Sequence, residues 1–237
     1  MKHSICALAL ALTLLPSLSL AQASKPTEKE AERKLMLWKV SGKGLKAPSY
    51  LFGTIHVPDK RVLDLPKAVN DAIDASDALY CELALEPSLE LEATKHMMLP
   101  QGKTLVDVLG QPLVDRATKL LASKGLPIAP FLQLKPWAFM SQLTMITEFL
   151  PELQSGNVPL DSMIYKRAKA AGKQVGGLEK LEDQLGVFAS LSDKAQKEMV
   201  VSGLDAMEKA AKEGVKTTEP LIKAYLAGDT ETMMKQT

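Results

Sequence analysis

The stretch from Tyr50 to Leu83 constrains the fold more than any other part of the chain, because its hydrophobic period changes twice. Tyr50-Leu51-Phe52-Gly53-Thr54-Ile55 is a short apolar run of strand type. Lys67 to Ala75 then carries Ala68, Val69, Ala72 and Ile73 at helical spacing, with Pro66 suited to the first turn. Ala78-Leu79-Tyr80-Cys81-Glu82-Leu83 returns to a strand pattern. A strand, helix, strand order predicts parallel strands joined by a right-handed crossover, with both carboxyl ends at one edge of the sheet. A further strand, Leu37 to Val40, lies just upstream across the turn-rich SGKGLKAPS, which predicts a hairpin.

Downstream the pattern is mostly helical. Apolar residues recur at three and four positions over Leu89–Met98, Gln111–Ser123, Gln133–Leu150 and from Pro159 to about Ala171, between Pro and Gly breaks. Gln174-Val175-Gly176-Gly177-Leu178 is a third strand candidate that its two glycines weaken. Helices are expected over Leu181–Ala189, Asp193–Glu213 and Glu219–Ala227, the last with Thr218 as cap, Pro220 in its first turn and Gly228 after its end. The expected fold class is α/β: a small, mostly parallel sheet with an N-terminal hairpin, surrounded by many helices.

The amino end reads as a signal peptide over residues 1–23: Lys2 and His3, an apolar run to about Leu15, then Ala21-Gln22-Ala23. The run is shorter than the ~20 residues of a membrane span, so no stable span is expected after cleavage. Residues 24–35 read as a flexible linker, and the domain as 36–237. The expected location is periplasmic or secreted. Loss of Lys2 leaves 28 basic residues against 28 acids, which gives no electrostatic reason to bind nucleic acid. Of the two cysteines only Cys81 survives export, so no intrachain disulfide is available, and of the three histidines only His56 and His96 do. A metal site in such a chain would lean on carboxylates.

His56 follows the strand ending at Ile55, and Glu82 lies near the end of the next. Neighbouring strands are about 4.8 Å apart, so an imidazole and a carboxylate there could touch or share a ligand. Glu179 comes one residue after the third strand candidate and could reach the same edge. Gly53, inside an apolar strand, marks close approach of another backbone or a ligand, or else a bulge. His56 also admits a structural reading, hydrogen-bonded at a strand end. Glu82 must either face solvent or be paired, because a Glu is almost never buried alone. Cys81 reads as a small buried hydrophobe, and His96 as a residue of a helix surface.

With these residues placed, the run LWKVSGKGLKAPSYLFGTIHVPDKRVLDLPKAVNDAIDASDALYCEL resembles the opening of TraB/GumN proteins: a Trp-bearing strand, a GTxH motif, an arginine, a Leu-Pro, and a Glu closing the next strand. LKPWAF at 134–139, Pro159-Leu160-Asp161 ahead of Arg167-Ala168, and GLEKLEDQL at 177–185 match further along, so the resemblance covers about 35 to 230. That family is related to erythromycin esterase and ChaN-like proteins and to the Tiki-type proteases, which cut extracellular substrates with a divalent metal. The resemblance implies an α/β fold with Gly53, His56 and Glu82 at the active or metal-binding site. Glu179 matches the GLE glutamate. Asp161 matches a family aspartate, although an acid in a helix's first turn is also stabilised by the helix dipole alone. Members normally continue with an Arg-Asn helix and a second GxxH-like strand, so the expected domain lacks the usual C-terminal part.

The function expected from these readings is that of an exported metal-dependent hydrolase of peptidase type. A divalent metal would be held by His56 and Glu82, with Glu179 as a further catalytic carboxylate, acting on a peptide or small-molecule substrate. The alternative is a non-catalytic periplasmic binding protein for haem, a metal or a peptide that uses the same cleft.

Overall fold

The structure is a computed structural model and describes residues 35–235. The expected signal segment and almost all of the expected linker lie outside these residues. Strands β1 (Leu37–Val40) and β2 (Ser49–Phe52) pair antiparallel, with Trp38 opposite Leu51 and Leu37 opposite Phe52. They form the hairpin that the turn-rich loop demands. Helices α1 (Lys60–Leu63) and α2 (Lys67–Ala75) lead into β3 (Ala78–Cys81). Then come α3 (Pro87–Met97), α4 (Leu105–Leu109), α5 (Gln111–Ala122), α6 (Pro136–Gln154) and α7 (Leu160–Ala170). Strand β4 (Gln174–Gly177) is followed by α8 (Leu181–Ala189), α9 (Asp193–Glu213), α10 (Glu219–Ala227) and α11 (Thr230–Met234).

The architecture is a mixed α/β one, with one parallel strand pair, one antiparallel hairpin and eleven helices among the described residues. In one respect it departs from the expected strand, helix, strand unit. β2 does not pair with β3; β3 pairs in parallel with β4, Ala78 opposite Gln174 and Cys81 opposite Gly177. The reason lies at the end of β2. Gly53 donates its backbone N–H to Met36 at 2.8 Å, after which Thr54 to His56 leave the ladder. A Cβ on Gly53 would meet the Met36 side chain at 3.3 Å, so the glycine serves the approach of the neighbouring segment of this chain.

The glycines that weaken the pattern of β4 are what let that strand fit. A Cβ on Gly177 would lie 2.4 Å from the backbone nitrogen of Ala84, and one on Gly176 would lie 2.9 Å from the Tyr80 ring. Helix α7 buries Leu160, Ile164, Tyr165 and Ala168, a helical stripe that packs against both β3 and β4. Its amino end therefore stands at a fixed place relative to the ends of the parallel pair.

Two apolar clusters make the core. One joins Leu105, Leu109, Val114, Leu121, Phe139, Leu143, Val200 and Leu204 from α4, α5, α6 and α9. The other joins Ile55, Val57, Val62, Val69, Phe149, Leu160, Ile164, Ile222 and Tyr225. Helix α6 feeds both because it is kinked: Phe149 has φ −125° and ψ 16°, two residues before Pro151. Proline removes a helical N–H donor and crowds the preceding turn, so the helix breaks there and Phe149 turns into the second cluster. No helix among the described residues is long and apolar enough to cross a membrane.

Candidate functional site

His56 sits at the centre of a tight turn in which the Val57 N–H donates to the Ile55 carbonyl at 2.9 Å. Ile55 and Val57 are both buried and belong to the second apolar cluster, so the residue between them is pushed outward. The His56 side chain is 64% exposed. Its Nδ1 lies 2.6 Å from Asp161 Oδ2. The other oxygen of that carboxylate accepts the Thr54 hydroxyl at 2.5 Å.

Glu82 follows β3 by one residue. Its carbonyl accepts from the backbone N–H groups of Leu178, at 3.1 Å, and Glu179, at 2.8 Å. The parallel pairing therefore extends just past both strands and sets the backbones of Glu82 and Glu179 side by side. Gln184 joins the two side chains: its amide donates to Glu82 Oε2 at 3.1 Å and to Glu179 Oε2 at 3.0 Å. Gln184 is held there by α8, which is anchored through buried Leu181 and the Phe188 ring, stacked on Trp137 at 4.9 Å.

The expected meeting of His56 and Glu82 occurs, though by another route than a shared sheet edge. His56 Nε2 lies 3.7 Å from Glu82 Oε2, with the Glu82 side chain 59% exposed. That separation is too long for a good hydrogen bond. Two ligands each about 2.1 Å from one metal at a tetrahedral angle stand about 3.4 Å apart, so this pair has the spacing of shared coordination. The fit is that of a two-donor site. Among the described residues no group of three or more His, Cys, Asp or Glu side chains is arranged to hold a metal ion.

The electrostatics follow from these contacts. The hydrogen bond to Asp161 holds the His56 imidazole above its ordinary value; burial opposes this, and the charges of Asp161 and Glu82 reinforce it. For Asp161 burial by itself pushes upward, but the bonds from His56 and Thr54 outweigh it and the carboxyl ends below its usual range. Burial pushes the Cys81 thiol up to about 11, with the charges of Asp161 and Glu82 adding to it. A thiol so raised is a poor nucleophile at neutral pH.

Of the residues singled out from sequence, His56, Glu82 and Asp161 form one cluster, and Glu179 joins it through Gln184. Gly53 serves the fold beside that cluster: it packs on Met36, and its carbonyl accepts the Tyr225 hydroxyl at 2.9 Å. His96 stands apart on α3, facing Glu92 at 3.7 Å. Two residues of the cluster, Thr54 and Gln184, are not among the candidates that the sequence offers. Thr54 precedes His56 by two positions, and the alternation of an extended segment could have put both on one side. Gln184 carries no comparable signal, since glutamine on an exposed helix is ordinary.

Residues 36–237 match the model of the TraB/PrgY/gumN family. Among individual proteins the chain is similar to metalloprotease TIKI1 of Homo sapiens, 30% identical over 84% of this chain and 44% of that protein. It is also similar to metalloprotease TIKI2 of Danio rerio, 29% identical over 89% of this chain and 46% of that one. The match to metalloprotease TIKI2 of Xenopus tropicalis is 31% identical over 77% and 40%. The chain thus spans less than half the length of these relatives. No solved structure matches it significantly.

Proposed function

Because the chain belongs to the TraB/PrgY/gumN family, we propose that it is a metal-dependent hydrolase of the periplasm or secreted space that cuts peptide bonds. The family supplies the premise, and the names of the similar proteins supply the reaction class. The observation that carries the reading is the His56–Glu82 pair, two exposed donor groups 3.7 Å apart that are not each other's hydrogen-bond partner.

His56 Nε2 and a Glu82 oxygen would hold a divalent cation. Such an ion supplies polarisation of the scissile carbonyl and a water acidic enough to attack at neutral pH. The chain's own groups do the rest. Asp161 and Thr54 hold the far side of the His56 ring. Gln184 satisfies Oε2 of both glutamates, which relieves repulsion between two neighbouring negative charges. Glu179 Oε1 is left to take a proton from an attacking water and pass it to the leaving amine.

The test is cation binding and peptide cleavage by the purified chain beside His56→Ala and Glu82→Ala. Loss of both properties in both variants is expected, and retention of both properties in both variants removes the proposal. The two-donor arrangement favours a second reading, a binding protein for a metal or a peptide without turnover. That reading predicts cation or peptide affinity abolished by His56→Ala and no cleavage by the parent chain.

A further inference from the structure

We propose that Asp161, clamped by Thr54, is the positioning residue of His56, fixing the imidazole as the tautomer that carries its proton on Nδ1 and turns the Nε2 lone pair toward Glu82. The inference rests on the reading of His56 as a ligand-binding group and deepens it by assigning how the ring is oriented. An acid in the first turn of a helix has a bland explanation, stabilisation by the helix dipole. The geometry goes further than that. The two carboxylate oxygens of Asp161 bond to residues 107 and 105 positions away, far outside its own helix.

The two ends of the contact are unequal. The Asp161 side chain is 17% exposed and the His56 side chain 64%. Asp161 stands on a helix locked by Leu160 and Ile164, both buried. The carboxylate is therefore the fixed end and the imidazole the end being held. A neutral imidazole has one N–H and one lone pair, and an ionised carboxylate can only accept. With Asp161 Oδ2 at 2.6 Å from Nδ1, the proton belongs on Nδ1. Nε2, the nitrogen 3.7 Å from Glu82, is left with its lone pair. Thr54 acts on the carboxylate itself, since by donating to Oδ1 it stops the group from rotating off the ring. A carboxylate behind a ligating histidine both orients it and raises its basicity.

The experiment is proton-detected nitrogen spectroscopy of the imidazoles in the full chain, at a pH where His56 is neutral, with His96, which faces Glu92 on its own helix, as an internal control. The parent chain is expected to show a protonated Nδ1 and a bare Nε2 at His56. Asp161→Ala should shift His56 toward the Nε2-protonated form, Asp161→Asn and Thr54→Val should shift it partly, and His96 should not change. Zinc titration of the same samples should show affinity weakened about 10- to 100-fold in Asp161→Ala and less in the two milder variants. A purely structural Asp161 would lower thermal stability and leave the tautomer as it is. An unchanged His56 tautomer in folded Asp161→Asn and Thr54→Val overturns the proposal even if Asp161→Ala fails to fold. A tautomer that shifts as expected in a parent chain that binds no zinc upholds the positioning and removes the metal reading instead.

Discussion

Two carboxylates of this protein sit in opposite circumstances. Glu148 of α6 is 9% exposed, and its two oxygens accept from the backbone N–H and hydroxyl of Thr217 and of Thr218, including N–H contacts of 2.7 and 3.0 Å. Four donors approach the number a carboxylate can accept. Glu82 is 59% exposed, takes its side-chain bond from Gln184 and faces an imidazole beyond hydrogen-bond reach. A buried charge is tolerated only when it is fully satisfied, so Glu148 is a structural tie that holds the segment before α10 onto α6. An exposed charge with an unmade partner is free to take something else. Burial and satisfaction together, and not residue type, separate a fold-holding glutamate from a candidate ligand.

The strongest consequence falls on the buried glutamate. Glu148→Ala strands two N–H groups and two hydroxyls in a buried place, and should lower unfolding free energy by about 3 kcal/mol in denaturant titration. Glu82→Gln should change it by less than about 0.5 kcal/mol, as exposed substitutions do. Equal losses in the two variants would mean that Glu82 is also a packing residue.

The pairing of His56 with Asp161 makes the exposed site respond to pH. The His56 value is raised above its ordinary 6.5, so its pairing with Asp161 stabilises the fold fully below 6.5 and the contribution is lost as pH rises through the raised value. Asp161 is lowered from 3.8, so its share is present above 3.8 and lost as pH falls through the lowered value. A cation needs the neutral ring. Cation affinity should therefore rise with pH through a midpoint above 6.5 while the stability of the metal-free chain declines slightly over the same range. Calorimetric titration and thermal melts from about pH 5 to 9 check both slopes. Affinity that is flat across this range would remove His56 from the donor set.

The smallest effect belongs to Gln184. Its bonds to Glu82 and Glu179 are solvent-exposed, so Gln184→Ala should leave stability within about 0.5 kcal/mol. Without the amide between them the glutamates repel, and zinc affinity should change by a few-fold in isothermal titration. A change of about tenfold or more would make Gln184 as important to the site as Asp161.

Much of the helical framework was legible in the sequence. α8, α9 and α10 begin and end where spacing and punctuation place them. The reasons are local: Ser192 accepts from the Ala195 N–H, and Gly214 and Gly228 take left-handed φ values of 69° and 66°. Thr218 shows where local reading stops. It precedes α10 as expected, yet its hydroxyl donates to Glu148, seventy positions away, in place of capping its own helix. Asp161 shows the same from the site's side, since its first-turn position suggests the dipole alone, and its contacts to Thr54 and His56 arise only when α7 lies over β3 and β4.

Local pattern alone placed the four strands, the longer helices and a short set of candidate polar residues, while the short helices α1, α4 and α11 carry too few residues for a period to show. Period, capping and glycine placement act over a handful of neighbours, so they can be read without knowing what lies opposite. The tertiary structure alone decided that β3 joins β4 and not β2, and that a histidine and three carboxylates converge from four separate segments. Strand pairing and long-range polar contacts are settled by competition among distant partners for the same surfaces, and local patterns do not rank those partners.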